Sequence, residues 1–318
     1  MKSVIFLSQM DFQGKIPRNH NNMRVEFAQM CILEADHSNL YKIHQVQNKY
    51  DVAILLIPKT EVDRNLLQNR DIFAEAKTIS EKVVFMQEGP SWIFQDMSVK
   101  QQLWHYNLLA RVDGILTEND SDISYFMGLN PTAKIASITS TMVTDNIVHA
   151  LTNVEKQDKV IIGGNFTRWY GGFDSFVAAR HFELPIYAPS MGRRQPDEEM
   201  VVQHLPYMPW KDWMYKLAEF KYAVHLMPTI AAGTFAMNCG YLGIPCIGYG
   251  DLDTQSNLHP ELCVEQGNLY QAIELVEALK IKPFYDHCSK EARKNYEIFH
   301  SEGNFKAKMN HYFERLWN

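Results

Sequence analysis

Short apolar runs alternate with longer amphipathic segments along this chain, the pattern of βαβ units and a parallel sheet. Val4–Ser8 predicts a first strand. Asp51–Pro58 (DVAILLIP) is apolar without alternation, as a strand buried on both faces has to be. Lys82–Gln87, Asp113–Thr117 and Lys134–Ile138 continue the series, with helices predicted over Met23–Leu33 and Val99–Ala110. Asn119 and Asp120 suit the cap of a short helix that stops at Gly128. After a polar stretch at Thr152–Lys156, read as a linker, the alternation starts again. Strands are predicted at Lys159–Ile162, Leu184–Ala188, Val201–His204, Tyr222–Met227 and Ile244–Gly248. Helices are predicted over Phe173–Phe182, Lys211–Phe220, Gly233–Tyr241 and Leu269–Leu279. Ser289–Asn318 reads as a long helix broken near Gly303. The expected fold is therefore α/β, with two Rossmann-like domains at 1–152 and 153–288 and a C-terminal helix at 289–318. Two facing domains of this kind hold their ligands in the crevice between them.

Composition agrees with that reading. At 318 residues the chain is too long for a single hydrophobic core, and 46% hydrophobic with 21% charged residues excludes a disordered protein. A net charge of −6 argues against non-specific coating of nucleic acid but leaves room for a local basic cleft. Cys31, Cys239, Cys246, Cys263 and Cys288 make no C-x-x-C pair, which suits reduced thiols in a cytoplasmic protein. The first apolar run is too short for a signal peptide, and no run approaches transmembrane length, so no membrane partner is expected. No G-x-G-x-x-G follows a strand, and G-x-x-x-x-G-K-[ST] is absent, which disfavours a dehydrogenase and a P-loop ATPase. Nothing in the pattern fixes a subunit count.

Chemistry concentrates at the carboxyl ends of predicted strands. In Pro228–Gly250 (PTIAAGTFAMNCGYLGIPCIGYG) a small-residue loop opens a helix. Gly233 lets the backbone approach a ligand, the free amides of the helix start favour an anion, and the Thr234 hydroxyl adds a donor. Asn238 shares the helix face of Thr234. The turn Gly250–Gln255 sets Asp253 and Gln255 where sugar hydroxyls are read, and lacks the later Glu of a calcium loop. Arg193 and Arg194 form a basic spot after the strand at Leu184–Ala188. In the first domain, the long polar loop Asp11–Arg24 (DFQGKIPRNHNNMR) supplies His20 and Asp11 as candidate bases. Glu88 in QEGPSWIF is a third candidate, and Trp92 and Phe94 beside it are placed either to stack on a ligand or to fill the core.

Gly243-x-Pro245 followed by an apolar strand, after a helix of small residues, resembles the nucleotide-sugar half of GT-B glycosyltransferases. Many retaining members carry Glu-x7-Glu here; this chain has Ile230 and Asn238 at those positions. Ile161–Gly172 (IIGGNFTRWYGG) is similar to the glycine turn that leads those enzymes' second domain, where a basic residue lies near the diphosphate. The resemblance makes Arg168 the candidate for that contact, and arginine's paired donors suit it. Asn238 is the candidate for a ribose hydroxyl. KIPRNHNNMR, QEGPSWIFQD and GTFAMNCGYLGIPCIGYGDLDTQ resemble the glycosyltransferases of T-even-like bacteriophages, including those that add arabinose to hydroxymethylcytosine in DNA. That resemblance implies a UDP-sugar donor, a pentose by preference, and 5-hydroxymethylcytosine as acceptor. It also implies no essential metal or other cofactor, a C-terminal helix packed on the first domain, and residence in the cytoplasm, the host's if phage-encoded. Lys15, Arg18, Arg24, Arg193 and Arg194 would supply contacts to the acceptor's phosphates. Two alternatives stand beside it: a GT-B transferase acting on a surface polysaccharide or other glycan, and a noncatalytic nucleotide-sugar-binding protein.

Overall fold

A computed structural model describes residues 2–21, 24–189 and 195–318. The chain divides into two compact units. The first contains the residues up to His20, Arg24–Thr139 and Phe305–Asn318; the second contains Asn21 and Ser140–Asn304.

In the first unit the chain runs β1 (Val4–Ser8), β2 (Gly14–Lys15), α1 (Val25–Ile32), β3 (Asp36–Asn39), β4 (Tyr50–Leu56), α2 (Lys59–Asp63) and α3 (Ile72–Lys77). It continues with β5 (Ser80–Met86), α4 (Val99–Leu109), β6 (Gly114–Thr117), α5 (Ile123–Leu129) and β7 (Lys134–Ser137). The sheet order is β2-β3-β1-β4-β5-β6-β7, parallel except for β2 against β3. Apolar strands buried on both faces make its centre: Ile5, Leu7, Ala53, Leu55, Val83, Phe85 and Ile115 pack with Leu108, Leu109 and Phe126 from the helices. The strand β3 (DHSN) has no apolar signal, and its buried His37 and Asn39 side chains bond backbone. His37 lies 2.7 Å from the Phe12 carbonyl oxygen and 2.8 Å from the Ser8 hydroxyl. Asn39 donates to the carbonyls of Gln9 and Met10. These bonds fix the start of the polar loop after β1. The helix after Asn119 runs past Gly128 to Leu129.

The second unit runs β8 (Gln157–Ile162), α6 (Gly172–Ala179), β9 (Ile186–Ala188), β10 (Gln203–His204), α7 (Trp210–Ala218), β11 (Phe220–His225) and α8 (Thr234–Tyr241). It continues with β12 (Cys246–Tyr249), α9 (Asp253–Leu258), β13 (Cys263–Val264), α10 (Leu269–Leu279) and α11 (Lys282–Phe299). The sheet β10-β9-β8-β11-β12-β13 is wholly parallel. Hence the loops that follow its strands open on one edge, where α/β folds bind ligands.

The unit boundary falls at Thr139, ahead of the polar stretch read as a linker. Ser140, Thr141, Met142 and Val143 are buried, and the Ser140 hydroxyl donates to the Ala232 carbonyl at 2.7 Å. The long C-terminal helix is two, α11 and then α12 (Glu302–Arg315). The break, expected near Gly303, falls at His300. Thr141 donates to the His300 carbonyl at 2.9 Å, and His300 Nδ1 lies 2.7 Å from the Ser140 carbonyl oxygen, so backbone that would extend the helix is held elsewhere. From Phe305 onward α12 packs into the first unit through Phe305, Met309, Tyr312 and Phe313. Among the described residues no helix is long and apolar enough to cross a membrane.

Two glycines of the first unit carry opposite consequences. A Cβ at Gly114 would stand 2.1 Å from the Tyr312 hydroxyl, which already donates to the Lys134 carbonyl, whereas one at Gly128 in α5 meets nothing within 4 Å. Gly114→Ala should therefore destabilise by about 1–3 kcal/mol through overpacking. Gly128→Ala should stabilise by about 0.5–1 kcal/mol. Urea unfolding of the two variants checks both signs.

Candidate functional site

At the carboxyl edge of the second sheet, close backbone approach sets the loops. Gly171 takes φ +60°, and a Cβ there would lie 1.8 Å from the Leu226 carbonyl oxygen. At Gly172 it would lie 2.1 Å from the Asn165 carbonyl oxygen, and at Gly163 2.2 Å from the His225 ring. Ser175 in α6 joins the two loops, donating to the Gly171 carbonyl and accepting from the Leu226 amide, both at 2.8 Å. The buried Glu198 carboxylate accepts from the Phe166 amide at 3.0 Å and the Gln195 amide at 2.7 Å, with His204 at 3.1 Å. The β8–α6 loop is thereby held while the Arg168 side chain at its tip stays exposed.

The loop after β11 ends at Gly233, with φ +67°, and α8 begins there with no side-chain cap and no acidic residue in its first turn. Ser140 and Thr254 both donate to the Ala232 carbonyl, fixing the loop from behind. Thr234 is half-buried at the first helical position. An uncapped helix start with free amides is an anion site by geometry and by dipole. Thr254 carried no sequence signal, because the GDLDTQ stretch looked like an acidic turn; it is the start of α9.

Two expected ligand contacts, Asn238 and Gln255, are buried with partners inside the second unit. Asn238 is buried, and with its amide oriented to satisfy both groups it donates to the Thr234 carbonyl at 3.2 Å and accepts from the Trp213 indole at 3.0 Å. That commits one N–H and one lone pair of the amide to partners inside the second unit. Gln255 is buried and donates to the Cys246 carbonyl at 2.8 Å, which braces β12. Asp253 is half-buried in the first turn of α9. Arg193 and Arg194 lie outside the described residues.

The predicted residues of the first unit have these surroundings. Asp11 is exposed and hydrogen-bonded at 2.6 Å to Lys42, whose charge holds the carboxyl below its ordinary pKa. A carboxylate so held is a weak base, which counts against Asp11. His20 is half-buried, its ring 5.1 Å from that of Phe27 and 6.5 Å from that of Phe12. Lys15 is exposed on the edge strand β2, and Arg18 is exposed in the turn that follows. Trp92 is half-buried, but Phe94 belongs to the core, stacked on His105 at 3.5 Å.

Arg24 and Glu88 do meet. The guanidinium lies 2.6 Å from Glu26 and 3.3 Å from Glu88, so Arg24 neutralises carboxylates of its own unit instead of standing free for phosphate. Behind this pair is a small cavity lined by Glu26, Gln29, Gln87, Glu88 and Glu118. Glu118 directly follows β6 in GILTEND, and its place after a strand was the signal available in the sequence.

No protein-family model matches the chain, and no curated protein sequence does. Solved structures do. HepE of Anabaena in complex with UDP-glucose superposes with a TM-score of 0.72 at 10% identity, over 99% of this chain and 100% of that one. Sucrose-phosphate synthase from Thermosynechococcus elongatus gives 0.69 at 10% identity, over 99% of both chains. The pneumococcal O-GlcNAc transferase GtfA with UDP and GlcNAc gives 0.64 at 10% identity, over 88% of this chain and 60% of that one. The chain has the GT-B fold.

Buried histidines make the stability of this GT-B chain sensitive to acid. Burial lowers His225, beside the glycine turn, and His259 to a pKa of about 4, and His105 to about 3. An unfolded histidine titrates near about 6.5, so below that pH the unfolded chain takes up protons that the folded chain refuses. Stability should fall as pH drops from about 6.5 towards 4, by up to about 1.4 kcal/mol per pH unit for each histidine. Urea unfolding at pH 7 and pH 5 measures the loss, and His225→Gln should remove up to one proton of the slope.

Proposed function

We propose that the protein is a glycosyltransferase that moves a sugar from a UDP-sugar to a hydroxyl acceptor. The observation that carries this is the uncapped start of α8 at the carboxyl end of β11, with the exposed Arg168 on the glycine loop after the neighbouring β8, in a GT-B fold. Such a pair suits a diphosphate: helix amides and a guanidinium stabilise the negative charge that develops as UDP leaves. Support for uridine comes from the neighbours whose complexes contain UDP-glucose, or UDP with GlcNAc. The Thr234 hydroxyl adds a phosphate contact, and Asp253 remains the candidate for a sugar or ribose hydroxyl.

In the reaction, the acceptor oxygen bonds to the anomeric carbon, the bond from that carbon to the diphosphate oxygen breaks, and the acceptor proton passes to a base. Glu88 and His20 are the candidates for the base; Glu88 follows a central strand of the first sheet. No metal is required by this scheme, since Arg168 and the α8 amides take the leaving group's charge.

For the acceptor we place a sugar or glycan hydroxyl ahead of hydroxymethylcytosine in DNA, and we hold no preference for a pentose donor. The acidic cavity behind Glu88 and the pairing of Arg24 to carboxylates both oppose a phosphate-rich acceptor. The neighbours' names favour glycan chemistry: one is an O-GlcNAc transferase and another a sucrose-phosphate synthase.

Thermal unfolding with millimolar UDP, GDP or ADP tests the donor. UDP should raise the melting temperature and the others should not, a ligand at about 100 times its Kd being worth about 2.7 kcal/mol. Arg168→Ala should weaken UDP binding about tenfold or more without changing the unliganded melting temperature. Unchanged UDP affinity would remove Arg168 from the site, and no shift with any nucleotide would favour a protein that does not use nucleotide-sugars.

A further inference from the structure

The cavity of the first unit is lined by hydrogen-bond acceptors with no cation on its wall. It measures about 40 Å³ and lies at the carboxyl ends of β4, β5 and β6, where α1 contributes Glu26 and Gln29, and the segments after β5 and β6 contribute Gln87, Glu88 and Glu118. The rest of its wall is apolar except for Thr117, whose hydroxyl donates to the Asn119 carbonyl at 3.0 Å. Gln29 is 5% exposed and Gln87 4%, and each leaves its Oε1 buried without a partner. The Gln87 amide is oriented by its other end, which donates to the Gly89 carbonyl at 2.8 Å and the Asp122 carboxylate at 2.9 Å. Turning it over would set oxygen against oxygen, so Oε1 has to face away from both. Glu118 Oε2 is buried without a partner as well. Burial, with Glu26, Glu88 and Asp122 repelling, pushes the Glu118 carboxyl well above its usual range, and burial raises Glu26 too. Arg24 offsets part of this charge through Glu26 and Glu88, but it is not among the residues that line the cavity.

Unpartnered buried oxygens beside three carboxylates call for an occupant with several donors and a positive charge. We propose that this cavity receives a protonated primary amine carried by the acceptor, which makes the acceptor class an amine-bearing alcohol or amino sugar and rests on the glycosyltransferase reading. An ammonium group has three N–H donors, one charge and a volume close to that of a water molecule. A neutral hydroxyl supplies one donor and no charge. A metal ion is disfavoured by spacing. Among the described residues, the one trio of metal-ligating atoms gathered within 4.8 Å is Glu261, His287 and Glu291, on the second unit. An ammonium bonded at about 2.9 Å reaches oxygens set more widely than an ion bonded at about 2.0–2.5 Å does.

The test is thermal unfolding of the full chain in rising ethanolamine hydrochloride, against ethylene glycol and against KCl at matched ionic strength. Ethanolamine should raise the melting temperature saturably, and neither control should. Glu118→Gln should cut the apparent affinity at least tenfold. Gln29→Met, which keeps the volume and removes the oxygen, serves if that variant does not fold. Equal shifts from ethanolamine and ethylene glycol, no shift from ethanolamine, or an unchanged affinity in the variant would each overturn the proposal. UDP is measured on the same protein to separate the two readings. A UDP shift without an ethanolamine shift overturns the amine alone. An ethanolamine shift without a UDP shift overturns the cavity's assignment to an acceptor.

Discussion

The architecture of the donor side depends on backbone meeting backbone without a side chain between. At the edge of the second sheet, Gly163, Gly171, Gly172 and Gly233 each occupy a place where a Cβ would collide with carbonyl oxygen, ring or side chain of a neighbouring segment. A methyl group at any of them would push a loop outward by an ångström or more. The glycines therefore serve the protein's own packing first. With glycine at the N-cap, the start of α8 has no capping side chain, and Arg168 stays exposed on the β8–α6 loop.

A different economy governs the first unit. Its sheet centre is apolar, as a parallel sheet covered on both faces has to be. Its carboxyl edge, however, buries polar groups whose partners are backbone. His37 and Asn39 hold the start of the loop after β1 by hydrogen bonds to the main-chain oxygens of Gln9, Met10 and Phe12. Beside it, Glu118, Gln29 and Gln87 leave oxygens unsatisfied. Around the acidic cavity the unpartnered oxygens come from three side chains on separate segments, which marks it as the candidate site.

The series of apolar strands was legible in the sequence because fully buried parallel strands have few alternatives. Leu269–Leu279 is found with the ends that the pattern predicts, and most other elements shift by a residue or two. β3 was not legible, since its polar residues are buried for their hydrogen bonds and leave no hydrophobic period. The break of the C-terminal helix near Gly303 was legible, but the tertiary contact from Ser140 and Thr141 that sets it at His300 was not. For the site, Gly233 and Thr234 could be read from local chemistry. Asn238 and Gln255 could not be told from ligand contacts, because their partners, Trp213 and Cys246, are fixed only by the fold. The acidic cavity draws on segments from α1, β5 and β6 that are far apart in sequence, so no local motif announces it.

The two candidate sites differ in sign, and that difference constrains what can react. The uncapped α8 start and Arg168 favour a leaving group that gains negative charge. The carboxylates around Glu118 favour a nucleophile that brings positive charge with it. A duplex acceptor would meet those carboxylates with its phosphates, and Arg24 beside them is already paired. An alcohol with a nearby ammonium meets neither penalty: its charge offsets the buried carboxylates, while its hydroxyl stays neutral until a base takes the proton. If the amine proposal holds, charge complementarity of this kind would favour such an acceptor over a phosphate-rich one, which would leave the Glu118 oxygen buried and unpartnered.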